Sequence, residues 1–184
     1  MTDILNQRSQ KRWDKYFHLI CTTVSLKSPC LSRQIGAILV RDNSILSTGY
    51  NGPPRGIPHC GHERIMEDQV IYHELYSVIE NTTRKDMGKI CPRKLIPNYV
   101  SGKRMELCTA QHAETNCISN AARIGVITYG ATLYMNCIIP CKSCFGALIN
   151  AGIKEIVLDE IKYYDAHTKF LKDNSDIIIR KFNL

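Results

Sequence analysis

Apolar positions along the first third of the chain change their period twice. From Gln10 to Lys27, Trp13, Phe17, Ile20, Cys21 and Val24 recur at three- and four-residue spacing, which places them on one face of a helix. Such a face needs a cover, and a sheet is the expected partner. Gln34 to Val40 and Ser44 to Thr48 are apolar, β-branched-rich runs joined at Arg41-Asp42-Asn43, the pattern of an antiparallel hairpin. The second run stops at Gly49-Tyr50-Asn51-Gly52-Pro53-Pro54-Arg55-Gly56. Three glycines and two prolines in those eight residues suit neither a strand nor a helix interior, so a shaped loop is expected.

Regularity is then lost between Ile57 and Leu107, where one weakly amphipathic helix is expected around Ile65 to Ile79, followed by a basic, proline-punctuated stretch. It returns with a helix from Ala113 to Ile124, stopped by Gly125. A strand at Ala131 to Asn136, a helix at Lys142 to Ala151 closed by Gly152, and a strand at Ile153 to Asp159 follow. A helix near Tyr163 to Lys172 and a strand at Asp176 to Arg180 end the chain. Strands alternating with helices imply right-handed βαβ crossovers and an α/β sandwich of about five strands. The reading is one domain over residues 1–184, carrying an insertion at about 59–107.

Composition narrows the class. At 184 residues and 44% hydrophobic the chain suits a soluble globular protein, and no apolar run approaches the ~20 residues that cross a bilayer. The stretch Met1 to Trp13 lacks the basic-then-apolar pattern of a secretory signal, so an intracellular address is expected. Nine cysteines, an odd number, then point to metal or thiolate chemistry rather than a disulfide framework. The net charge of +7 is local: Arg84, Lys85, Lys89, Arg93, Lys94, Lys103 and Arg104 stand against one acid, Asp86. A solvated loop is the plain interpretation of that stretch, with nucleotide phosphates or nucleic acid as the alternatives.

The informative chemistry is His112-Ala113-Glu114 followed by Pro140-Cys141-Lys142-Ser143-Cys144. Two thiolates separated by two residues at a helix start can grip one ion, because the first turn brings both sulfurs to one side and its dipole favours their anionic form. A tetrahedral catalytic zinc needs one further protein ligand, and His112 at the start of the other helix supplies it. Such an ion acidifies its bound water, and Glu114, two residues on, is placed to move protons without being a ligand. A histidine, a glutamate two residues later and a distant Pro-Cys-x-x-Cys form the signature of zinc base deaminases.

Several further stretches resemble the deoxycytidylate deaminase family: Arg33 to Val40, Gly49 to Cys60, His112 to Asn116, Gly130 to Tyr134, Pro140 to Cys144 and Asn150 to Lys154. The likeness runs from Trp13 to about Leu158 and is strongest to the prokaryotic, archaeal and phage or viral branch with an insertion before the catalytic helix. It implies a cytidine-deaminase-like three-layer α/β/α sandwich with a mixed sheet. It also implies a catalytic Zn2+ on His112, Cys141 and Cys144, with Glu114 as proton shuttle. Carried over to this chain, the Ala113 backbone amide faces the pyrimidine carbonyl and Asn51 approaches a sugar hydroxyl. Asn51 as a plain left-handed turn residue is the alternative. Arg33 and Arg55 are candidates for the phosphate.

Regulated members bind dCTP as activator and dTTP as inhibitor, and Arg123 falls where they carry an arginine tied to that control. A triphosphate effector would bring Mg2+ with it. Asn120 replaces an aromatic of some phage members. Cys30 and Cys60 match two ligands of a structural zinc held by some relatives, and His62, Cys91 and Cys108 compete for its remaining positions. Cys21, Cys117 and Cys137 are expected as core thiols. Family members commonly form hexamers, and a cytoplasmic enzyme is implied, in the host cytoplasm if viral. The leading function is hydrolysis of dCMP to dUMP and ammonia, feeding thymidylate synthesis, with dCTP as a second substrate in a close variant. A tRNA or single-stranded DNA base deaminase is disfavoured because Tyr99 is the only aromatic in the basic stretch. A catalytically idle zinc module is disfavoured by Glu114.

Overall fold

The computed structural model describes residues 2–79, 87–100 and 102–184, and these divide into two compact units. Arg84, Lys85 and Asp86 of the basic stretch lie outside the described residues. The first unit comprises Met1–Ser28, Ile35–Asn51 and His112–Leu184. Its elements are α1 (Thr2–Ser25), β1 (Gly36–Arg41), β2 (Ser44–Tyr50), α5 (Ala113–Arg123), β3 (Thr132–Ile138), α6 (Lys142–Asn150), β4 (Glu155–Glu160), α7 (Ala166–Asp173) and β5 (Ile178–Lys181). The five strands form one sheet in the order β2-β1-β3-β4-β5. The β1 strand is antiparallel to β2 and β3, whereas β3, β4 and β5 run parallel, so the sheet is mixed as expected.

Strand alternation sorts the core into two faces. Ala37, Leu39, Leu133, Met135, Ile156 and Leu158 pack with Ala113, Cys117 and Ala121 of α5 and with Phe145 and Leu148 of α6. Their neighbours in the same strands, Ile38, Val40, Tyr134 and Val157, pack with Phe17 and Cys21 of α1. Each large apolar side chain so buried contributes about 1.5–3 kcal/mol. Helix, sheet and helix therefore stack as three layers. Two glycines set the closest approaches: a Cβ on Gly36 would lie 2.1 Å from the Cys21 carbonyl of α1, and one on Gly49 would lie 2.4 Å from the Ala113 carbonyl of α5.

The hairpin turn is Asp42-Asn43, with φ of 51° and 58°. That is the two-residue turn whose twist matches the strands and for which Asn and Asp are favoured. Helix α1 begins at Thr2 rather than Gln10, because the adjacent Ile4 and Leu5 are its only apolar residues before Gln10 and set no helical period. Helix α7 begins at Ala166 rather than near Tyr163. Tyr163 and Tyr164 are exposed, and Asp165 caps the helix by accepting from the Thr168 N–H.

The second unit comprises Pro29–Gln34 and Gly52–Gln111. It holds α2 (His62–Glu67), α3 (Gln69–Ile79), α4 (Pro92–Leu95) and a 3₁₀ turn at Met105–Leu107. Ile65, Ile71, Leu75, Met87, Ile96 and Leu107 form its core. The single helix expected from Ile65 to Ile79 is two helices. Asp68 between them is extended at ψ 95°, and its carboxylate accepts the Ile71 N–H at 3.2 Å, so the residue ends one helix and starts the next. Gly52 and Gln111 close the segment by exchanging backbone hydrogen bonds of 3.1 and 2.8 Å.

Candidate metal centre

Two helix starts build the centre, both within the first unit. His112 is the N-cap of α5 and Cys141 the N-cap of α6, each with extended backbone, and Cys144 lies in the first turn of α6. The Nδ1 atom of His112 lies 3.6 Å from Cys141 Sγ and 3.3 Å from Cys144 Sγ. All three candidate ligand atoms fall within 4.8 Å of one another, the one such group among the described residues. Zinc bonds to nitrogen and sulfur of about 2.0 and 2.3 Å at a tetrahedral angle place the two ligand atoms about 3.6 Å apart. The observed spacings match that edge, so these three side chains fit a zinc ion.

The electrostatics agree. The Cys141 thiol is pulled down to about 4 by the hydrogen bond from Cys144 and by His112, while the same pairing and burial push Cys144 upward. His112 is shifted up, chiefly by its contact with Cys141. Glu114 is buried in the first turn of α5, and burial raises its pKa while His112 opposes the rise. A carboxyl group so placed takes and returns protons more readily near neutrality than an exposed one.

Helix α5 is locked onto β2 by a row of polar contacts. Asn116 Nδ2 donates to the Tyr50 carbonyl at 2.7 Å, Asn120 Nδ2 to the Thr48 carbonyl at 2.8 Å, and Ser47 Oγ to the Cys117 carbonyl at 2.9 Å. Asn120 therefore anchors this helix to the sheet edge. Ala113 is fully buried beside the two site residues.

Asn51 sits at the end of β2 and is 7% exposed. Its Oδ1 accepts the Ile35 N–H at 2.8 Å and the Ser28 hydroxyl at 2.8 Å, and the same hydroxyl lies 2.6 Å from the Asn51 carbonyl. Sequence reading missed Ser28, because nothing in a polar residue just past a helix end signals a partner 23 positions away. Arg123 lies exposed in the last turn of α5.

The remaining candidates belong to the second unit. Arg33 and Arg55 are exposed there. Cys91 is buried, and Cys30, Cys60, Cys108 and His62 are half-buried. Burial raises the Cys60 thiol, Arg64 opposes the rise with its Nη1 3.7 Å from the sulfur, and Cys91 and Cys108 act on it electrostatically. These thiols are neighbours, yet they do not close to the spacing seen at His112, Cys141 and Cys144. Cys21 and Cys117 are fully buried and Cys137 packs on the core, as expected for core thiols.

Residues 11–160 match the family described as the cytidine and deoxycytidylate deaminase zinc-binding region. The chain is 31% identical over 183 residues to deoxycytidylate deaminase of Schizosaccharomyces pombe, covering 98% of this chain and 47% of that one. It is 30% identical over 155 residues to deoxycytidylate deaminase of Mycobacterium phage D29, covering 81% and 95% respectively. The chain spans about half the length of the two yeast relatives it matches. Among solved structures, dCMP deaminase of cyanophage S-TIM5 in apo form shares the fold with a TM-score of 0.59 at 18% identity, over 91% of this chain and 95% of that one. With its histidine and cysteine pair held at zinc-ligand spacing on this fold, the chain belongs to the cytidine and deoxycytidylate deaminase family.

Proposed function

We propose that the protein hydrolyses dCMP to dUMP and ammonia, supplying dUMP for thymidylate synthesis. The observation that carries this reading is one imidazole and two sulfurs at tetrahedral-edge spacing, with the buried carboxyl of Glu114 two residues from the imidazole. Support for a free nucleotide as substrate comes from relatives named deoxycytidylate deaminase and from the S-TIM5 enzyme, solved with dCMP and dUMP.

His112, Cys141 and Cys144 hold the zinc. When bound, that ion supplies Lewis acidity that lowers the pKa of a coordinated water to about 7. Glu114 accepts a proton from the attacking water and delivers it to ring nitrogen N3 while the oxygen bonds to C4. As the C4–N bond breaks, the second proton of the water leaves with the amino group as ammonia. The family likeness assigns the Ala113 amide to the pyrimidine carbonyl and Asn51 to the sugar hydroxyl, and the exposed Arg33 and Arg55 are candidates for the phosphate. Ammonia release from purified protein given dCMP, dCTP, CMP, cytidine or a short single-stranded oligonucleotide tests the assignment. Turnover confined to dCMP supports it, turnover of dCTP as well makes the enzyme bifunctional, and turnover confined to the oligonucleotide overturns it.

The same reading takes residues of about 59–107, which lie within the second unit, as an insertion into one deaminase domain. Cys30, Cys60, Cys91, Cys108 and His62 form the pool from which a structural zinc draws its ligands. The nearness of Cys91 and Cys108 to Cys60 supports this, as does the Arg64 guanidinium 3.7 Å from the Cys60 sulfur. Metal analysis should give two zinc ions per chain, falling to one in Cys30→Ser or Cys108→Ser. One ion in all three proteins rejects the second site. Control by dCTP and dTTP through the exposed Arg123, with Mg2+ carried by the triphosphate, and assembly as a homo-oligomer such as a hexamer complete the proposal. Turnover of dCMP with and without each triphosphate tests the control. Nine free cysteines suit a reducing, cytoplasmic compartment, and no described helix is long and apolar enough to cross a membrane.

A further inference from the structure

Asp165 serves two helices with one carboxylate. Its Oδ1 accepts the Thr168 N–H at 2.7 Å, and its Oδ2 accepts the Thr168 hydroxyl at 3.0 Å. Those contacts are an ordinary N-cap of α7. The same Oδ2 also accepts the backbone N–H of Lys142, 23 positions away, at 3.1 Å. Lys142 is the first residue of α6 and directly follows Cys141. Its N–H is one of the donors that a helix start leaves without an intrahelical partner. With no acceptor from the protein, such a first turn is held by water and frays.

The turn in question carries both sulfurs of the centre. Cys141 sits at φ −68° and ψ 164°, and its carbonyl accepts the Phe145 N–H at 2.8 Å, which starts the helix. The Lys142 amide lies inside that loop of chain, so fixing it fixes the angle at which Cys141 leaves the helix and its distance from Cys144. We propose that Asp165 is a positioning residue for the zinc centre: it anchors the Lys142 amide to α7 and holds the Cys141–Cys144 turn with both sulfurs facing His112. This rests on the zinc centre and not on which nucleotide is deaminated.

Serine separates the two jobs of Asp165, since it is a good N-cap but too short to reach Lys142 while capping Thr168. Zinc release from the loaded full-length protein to excess chelating dye is the readout, alongside the melting temperature of the metal-free forms. Asp165→Ser should melt like the wild type without metal yet release zinc about tenfold faster, the lower end of what outer-shell changes cost. Asp165→Ala should release zinc as fast and also melt earlier. Lys169→Gly weakens α7 without touching the carboxylate and should leave zinc release unchanged. Wild-type release from Asp165→Ser overturns the proposal, and so does equally fast release from Lys169→Gly, which would make general α7 stability the cause. Because no nucleotide enters the measurement, a wrong substrate assignment leaves its outcome intact.

Discussion

At the scale of single residues, Glu114 and Asn51 occupy similar places for different reasons. Both are buried, but Glu114 is assigned to proton transfer by the proposed function, whereas the Asn51 amide is part of the fold. Glu114→Gln keeps the shape and removes the exchangeable proton. It should retain zinc and lose at least about a hundredfold in turnover, the usual share of a general acid–base group, as read by ammonia release beside metal content. Near-wild-type turnover in a zinc-loaded variant would strip Glu114 of its role. Asn51→Ala withdraws the acceptor of the Ile35 N–H as well as that of Ser28, so stability should fall by about 1–3 kcal/mol. Ser28→Ala removes only one donor from the same group and should cost about 1 kcal/mol. Urea titrations order the two variants, and an Asn51→Ala as stable as the wild type would mean that water replaces the amide without penalty.

Elements explain what was legible in the sequence. The starts of α5 and α6 were readable to the residue because the His112-Ala113-Glu114 and Cys141-x-x-Cys144 motifs sit on them, although neither His112 nor Cys141 caps its helix with its side chain. The hairpin was equally plain, with Asp42-Asn43 supplying both positive φ values. Periodicity failed where polar chemistry overruled it. Asp68 breaks the helix expected from Ile65 to Ile79, and the exposed Tyr163 and Tyr164 mimic an apolar helical face that begins only after Asp165. The role of Gly49 was hidden for another reason: in the sequence it is one of three glycines in a loop-like stretch, and only packing shows that α5 presses on it. A methyl group there meets the Ala113 carbonyl at 2.4 Å and the Cys117 nitrogen at 2.5 Å, both backbone atoms of the helix that begins beside His112. Gly49→Ala should therefore destabilise the protein by about 3 kcal/mol, the upper end for overpacking. It should weaken zinc retention in parallel, because α5 must move. A variant that melts earlier but holds zinc unchanged would show that the sheet yields instead of the helix.

For the first unit as a whole, closure depends on a contact spanning almost the entire chain. Asp14 of α1 is fully buried and accepts Arg180 Nη1 at 2.6 Å, Arg180 Nη2 at 3.0 Å, the Asn183 N–H at 2.8 Å and Gln10 Nε2 at 2.8 Å. Arg180 of β5 also donates to Glu155 of β4 at 2.9 Å, so one guanidinium ties the N-terminal helix to the last two strands of the sheet. A pair 166 positions apart carries no sequence signature, and the network is visible only once the chain is folded. It lies on the α1 side of the sheet, away from the face covered by α5 and α6. Removing the guanidinium alone strands a buried carboxylate, the costly way to break an ion pair, whereas neutralising both partners removes the stranded charge. Arg180→Met should lose about 3 kcal/mol, and Asp14→Asn combined with Arg180→Met should recover a large part of that loss. Zinc content and turnover per folded molecule should stay at wild-type levels in both, since the network and the metal centre sit on opposite faces. Urea midpoints for the two single variants and the double variant measure the coupling. Additive losses would mean that Asp14 and Arg180 act separately, and that the chain ends are held by the apolar contacts of Phe17, Tyr134 and Phe182 alone.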